Sequence, residues 1–236
     1  MRIKLLGLGL LLGGLVACSE PVSKSALVEE PTSPGEILVL GDSMLAFHSL
    51  SGRSAPDVLE SAVGMNVTNR AVSGARMIYR LPISGAAGMS IPKQFRQGNW
   101  DWVVLNGGGN DLWLGCGCRS CDRKLDRLLD KDGNPKGEIA KLTARLRGSG
   151  AKVLWVGYLR TPGRDSPIEE CADEGNELEA RLEKFSEKHE GVHFVSIADL
   201  VPHGDLSYHG IDRIHPSVKG SAAIGERIAQ TIKSLE

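Results

Sequence analysis

The chain reads as an α/β domain with a five-stranded parallel sheet between two layers of helices, on three observations. Short apolar runs alternate with stretches of helical spacing, the pattern of strands joined by helical crossovers. The first run, Glu36–Leu40, is apolar at successive positions and stops at Gly41, as a strand buried on both faces does. Five such runs are present, whereas a closed barrel of β/α units would need eight.

After Glu36–Leu40, strands are expected over Asn66–Asn69, residues 100–105, Lys152–Val156 and Val192–Val195. Helices are expected over Ala55–Val63 and residues 137–147, 176–189 and 217–235. In the last of these Val218, Ala222, Ile224, Ile228, Ile232 and Leu235 fall near helical spacing. Open parallel sheets bind ligands beyond the carboxyl ends of their strands. The segments that follow the first three strands are therefore where chemistry is expected.

Residues 1–17 stand apart from this domain. Arg2 and Lys4 precede an apolar run over residues 5–16 that is too short to cross a bilayer as a helix, the pattern of a secretion signal. Leu15, Val16, Ala17 and Cys18 then resemble a bacterial lipobox, in which the cysteine is lipidated and becomes the mature N-terminus. An ordinary secretion signal cleaved nearby is the alternative. Residues 18–35 are rich in Ser, Pro and Glu without an apolar period and read as a tether. Ser19, with no Asp at that position, resembles the sorting pattern for the outer membrane. The expected location is the cell envelope, lipid-anchored on the periplasmic side of the outer membrane.

Residues 36–236 are enough for one domain with a sizeable core. Loss of Arg2 and Lys4 leaves 26 basic residues against 29 acidic ones, a net charge of −3. That balance argues against a nucleic-acid partner.

Four short motifs follow in order: Gly41-Asp42-Ser43, Asn69 to Gly74, Gly107-Gly108-Gly109-Asn110-Asp111, and Asp212 to Pro216. Each alone is weak, since a Gly-Asp-Ser tripeptide is often a plain turn. Together and in this order they resemble the SGNH, or GDSL-type, serine hydrolases, at that family's first, second, third and fifth sequence blocks. The resemblance runs from about Glu36 to the C-terminus. It implies a three-layer, flavodoxin-like α/β/α sandwich, ester hydrolysis through an acyl-enzyme on Ser43, and no metal or organic cofactor.

A serine hydroxyl attacks only when a base takes its proton. The competing reading of Ser43 is a helix cap, a position Ser favours. His215 is the expected base, because it alone among six histidines has Asp three residues earlier and Pro directly after. Asp212 is then placed to orient the imidazole and stabilise its cation. His48 is expected to point away along the segment that carries Ser43. His189 and His193 read as surface or packing residues, while His203 and His209 fall in a loop near the rim. The resemblance supplies three oxyanion donors: the backbone N–H groups of Ser43 and Gly74, and the side-chain amide of Asn110. Gly74 lacks a Cβ that would obstruct substrate, and Asn110 offers donors without charge. Asp42 and Asp111 are expected to organise loops. Met44 stands where the family usually has leucine, a nearly isosteric exchange.

If Cys18 carries lipid, four cysteines remain: Cys116, Cys118, Cys121 and Cys171. An even count in an exported chain favours two disulfides with three possible pairings; a four-cysteine zinc site is the alternative. Rim segments also hold Met44, Phe47, Met77, Tyr79, Trp113 and Tyr208, with Arg76, Arg80 and Arg119, for an acyl chain or a sugar ring to contact, with about half of them expected to be core instead. Expected substrates are lipid esters or acylated glycans of the envelope. The alternatives are O-acyl transfer to a glycan and a catalytically silent binding lipoprotein.

Overall fold

The computed structural model describes residues 35–163 and 166–236. The expected signal segment, the lipidation site Cys18 and the tether up to residue 34 lie outside the described residues. Five strands form one sheet: β1 (Glu36–Leu40), β2 (Asn66–Asn69), β3 (Trp102–Leu105), β4 (Lys152–Val156) and β5 (Val192–Val195), in the order β2-β1-β3-β4-β5. Every pairing is parallel, with Ile37 opposite both Val67 and Trp102. Helices follow in chain order as α1 (Ser43–Ala46), α2 (Ala55–Val63), α3 (Pro82–Ser84), α4 (Ile91–Gln94) and α5 (Gly109–Cys116). The rest are α6 (Asp122–Leu128), α7 (Glu138–Arg147), α8 (Ala172–Lys188) and α9 (Val218–Ser234).

Strand alternation divides the core in two. Leu38, Leu40, Val103, Leu105, Val153 and Trp155 pack with residues of α5, α6, α7 and α8. Ile37, Val39, Trp102, Val104, Leu154 and Val156 pack with residues of α1, α2 and α9. The sheet is therefore covered on both faces, as an all-parallel sheet requires. This is the expected three-layer sandwich. In α9 the apolar period puts Ile224, Ile228 and Ile232 in the core.

Several elements differ from the sequence reading. β3 begins at Trp102, and the Trp100 indole, outside the strand, donates to the Arg96 carbonyl at 3.0 Å. α8 begins at Ala172, four residues before the expected start, with Asp173 and Glu174 in the first turn where they suit the helix dipole. α5 and α6 were not expected, since glycines and cysteines interrupt any apolar period there. The four cysteines form two disulfides, Cys116–Cys121 and Cys118–Cys171, which leaves no thiolate for zinc. The second ties the segment after α5 to the start of α8.

Candidate active site

β1 ends at Leu40, and Gly41 turns the chain. Its φ is 144°, and a Cβ here would lie 1.9 Å from Asn106 Oδ1, so glycine is required. Gln94 grips this residue twice, its Oε1 accepting from Gly41 N–H at 2.7 Å and its Nε2 donating to Gly41 O at 2.8 Å. Asp42, not Ser43, is the cap of α1: its Oδ1 accepts from Met44 N–H at 3.0 Å. Asn106, directly after β3, donates to the same Oδ1 at 2.8 Å and accepts from Asp42 N–H at 3.0 Å. Asp42 Oδ2 accepts from the Tyr158 hydroxyl at 2.6 Å, and that hydroxyl accepts from Gly109 N–H at 3.1 Å.

Burial pushes the Asp42 carboxyl above its usual value, against the hydrogen bonds from Tyr158, Met44 and Asn106 and the nearby charge of His215. Burial and then the charge of Asp42 raise the Tyr158 hydroxyl well above its ordinary value. Ser43 thus starts α1 on a base fixed from three distant segments.

Asn110 lies in the first turn of α5. Its Nδ2 donates to the Ala75 carbonyl at 3.1 Å, which leaves one amide hydrogen available and ties Asn110 to the turn containing Gly74. Gly74 sits at φ 77°, where glycine is favoured. Asp111 holds the next stretch of that loop, accepting from Met77 and Ile78 N–H groups at 2.8 Å each. Burial raises its carboxyl despite those two bonds. Both acids therefore organise loops.

Asp212 and His215 share one turn before α9. The carboxylate Oδ2 meets His215 Nδ1 at 2.6 Å, while Oδ1 accepts from the N–H groups of Ile214 and His215 at 3.0 Å each. Burial works to raise Asp212, yet the bonds from the imidazole and these two N–H groups hold it below the usual carboxylate value. An ionised carboxylate only accepts, so Nδ1 carries hydrogen and Nε2 is the nitrogen left to take a proton. Phe47, just beyond α1, stacks on the His215 ring with centroids 4.4 Å apart and planes 1° from parallel.

A cavity of about 150 Å³ opens beside these groups. Ser43 and Asn110 are in its wall with Leu112, Trp113, Leu159, Ile168, Leu178 and Ile214, the last from the turn of Asp212 and His215. Gly74, Asp212 and His215 are not among its lining residues; Asn110 and Ile214 link them to it. Its far side is α8, held by the Cys118–Cys171 bridge.

His48 departs from expectation, and the rim residues divide between core, surface and cavity. His48 does not point away: its Nε2 lies 3.1 Å from the Pro216 carbonyl. The left-handed backbone at His48, φ 67°, turns the ring back toward the His215 turn. Met44 and Met77 are buried in the core, and Arg119 pairs with Glu170 at the surface. Tyr79 bonds Ser84, and Lys219 lies over the Tyr208 ring. Only Trp113 and Met44 of the apolar rim set reach the cavity wall. Gln94, Asn106 and Tyr158 escaped the sequence reading altogether. Asn106 alone carried a signal, as an amide directly after a buried strand.

A family model described as GDSL-like lipase/acylhydrolase matches residues 39–223. Comparison with curated proteins finds no match. Among solved structures, a proposed SGNH hydrolase from Slackia heliotrinireducens is similar at TM-score 0.60 and 18% identity, covering 85% of this chain and 100% of that one. A carbohydrate acetylesterase family member from Sinorhizobium meliloti is similar at TM-score 0.58 and 15% identity, covering 85% and 98%. TesA is similar at TM-score 0.60 and 20% identity, covering 85% and 99%. At such identities these likenesses show a shared fold.

Proposed function

Since the chain belongs to the GDSL-like lipase/acylhydrolase family and is a carboxylic ester hydrolase of that type, we propose that it cleaves O-acyl esters through an acyl-enzyme on Ser43. His215 Nε2 takes the Ser43 proton as Oγ attacks the ester carbonyl carbon. Asp212, hydrogen-bonded at Nδ1, orients the imidazole and stabilises its cation. The negative oxygen of the tetrahedral intermediate meets the N–H groups of Ser43 and Gly74 and the free amide hydrogen of Asn110. His215 then returns its proton to the departing alkoxide. Water repeats the sequence on the acyl-enzyme and releases the carboxylic acid.

The observation that carries this reading is the cavity that Ser43 and Asn110 share with Ile214 from the turn of Asp212 and His215. The cavity also favours one kind of ester. Leu112, Trp113, Leu159, Ile168 and Leu178 offer hydrocarbon contact, which suits an acyl chain longer than acetyl. Lipid esters are therefore the proposed substrates, ahead of acetylated glycans. The lipobox-like residues Leu15 to Cys18 support an envelope location through lipid on Cys18.

The test is turnover of p-nitrophenyl esters from acetyl to dodecanoyl, beside an acetylated glycan, with Ser43→Ala as blank. Rising kcat/KM from acetyl to longer chains supports the reading. Preference for the glycan would overturn the substrate, and undiminished activity in Ser43→Ala would overturn the nucleophile. For location, Cys18→Ser should move the protein out of the membrane fraction; unchanged membrane association would exclude that anchor.

A further inference from the structure

The bonds that hold the Asp212–His215 pair together lie within one turn, which Ser166 Oγ also ties down by donating to the Arg213 carbonyl at 2.9 Å. Its carboxylate bonds the imidazole and two of its own N–H groups, and Gly210 N–H donates to His215 O at 2.8 Å. None of these bonds sets where the imidazole stands relative to Ser43, which lies on a segment more than a hundred residues away in sequence. Proton transfer within a hydrogen bond needs that separation fixed to a fraction of an ångström.

Two consecutive residues on the Ser43 segment reach across to this turn. Phe47 lies flat against the His215 ring at 4.4 Å. His48 Nε2 is 3.1 Å from Pro216 O, and a carbonyl only accepts, so this nitrogen carries hydrogen. Adjacent side chains on extended backbone point to opposite sides. The left-handed conformation at His48, φ 67° and ψ 5°, breaks that alternation, and both rings meet one turn. Such backbone in a residue other than glycine persists only where surrounding contacts hold it.

Resting on the serine-hydrolase reading above, we propose that Phe47 and His48 are positioning residues that set the His215 imidazole against Ser43. Phe47 fixes the plane of the ring by stacking, and His48 fixes the height of the turn through the Pro216 carbonyl. Asp212 holds one edge of the imidazole; Phe47 holds its face. An aromatic face also favours the cation formed when the imidazole accepts the serine proton. Both act through the His215 ring and its turn rather than through substrate contact, so their loss should lower kcat and leave KM nearly unchanged.

The test measures kcat and KM on p-nitrophenyl hexanoate for the full chain carrying Phe47→Leu, Phe47→Tyr, His48→Ala, His48→Gln or Ser43→Ala. Phe47→Leu and His48→Ala should each lower kcat about tenfold or more, since misplacement by ~1 Å can cost a hundredfold. KM should move less than about twofold, because ground-state binding is untouched. Phe47→Tyr keeps the aromatic face and His48→Gln keeps a donor at similar reach, so both should recover most of the wild-type kcat. These two conservative variants also separate positioning from loss of folding. Wild-type kcat in both Phe47→Leu and His48→Ala, with Ser43→Ala inactive, would overturn the positioning role and leave the nucleophile standing. A loss that appears in KM alone would overturn it too. Wild-type turnover in Ser43→Ala would instead sink the underlying mechanism.

Discussion

The two halves of the site are built in opposite ways. On the side of Ser43, Asp42 is buried and receives Met44 from its own turn and Asn106 and Tyr158 from two distant parts of the chain. On the base side, Asp212 is half-exposed and bonds only within its own turn. Ser43 owes its place to long-range structure, whereas the Asp212–His215 pair owes its geometry to a spacing of three residues. Damage should follow that division. Substitutions at the turn should remove activity and spare the fold; substitutions in the buried network should cost stability as well.

The largest effect is expected at the turn. His215→Ala removes the group proposed to accept the Ser43 proton, and kcat should fall by roughly four to six orders of magnitude. Asp212→Ala leaves the imidazole in place but unguided, so it should retain more activity than His215→Ala. Thermal melting of both variants should move less than in variants of the buried network, because the turn is at the surface. Equal residual activity in the two, or collapse of folding in either, would break the proposed division.

The same division explains what could be read from the chain. Strands and the long helices declare themselves through apolar period, and α9 shows it at Ile224, Ile228 and Ile232. The Asp212–His215 pair is local and was legible for that reason. Gln94, Asn106 and Tyr158 meet Gly41 and Asp42 across sequence separations of 53, 64 and 116 residues, and no short pattern encodes such pairings. α5 was hidden because the glycines Gly107 to Gly109 lead into it and interrupt any apolar period. His48 was misplaced because a left-handed residue reverses the direction that chain continuity suggests. The family resemblance supplied the oxyanion donors, for which no local spacing gives a rule.

A middle-sized effect belongs to the buried side. Tyr158→Phe deletes one hydroxyl and leaves two groups without partners, Asp42 Oδ2 and Gly109 N–H. Leaving buried polar groups unsatisfied costs about 1–3 kcal/mol each. Stability to urea should therefore drop by about 2–6 kcal/mol in total, and kcat should fall as well, since Gly109 precedes Asn110 on α5. A variant as stable as wild type would show that the network is not what fixes the nucleophile side.

The smallest effect is a difference in sign. Asp42 has its folded value raised by burial, so its ionised form is disfavoured in the folded state. Its contribution to stability is greatest below the ordinary carboxyl value of about 4 and declines as pH rises through the folded value. Asp212 is held below its ordinary value. Its contribution is present above about pH 4 and is lost as pH falls through the folded value. Melting temperatures of Asp42→Asn and Asp212→Asn, followed from about pH 3 to pH 7, should therefore diverge from wild type in opposite directions. With rising pH, Asp42→Asn should gain on wild type, because the variant has no buried charge to form. Asp212→Asn should lose ground over the same range, because it lacks the carboxylate that the His215 imidazole and two N–H groups stabilise. Slopes of the same sign would mean that the two carboxylates do not sit in the opposed environments described above, one closed to water and one open to it.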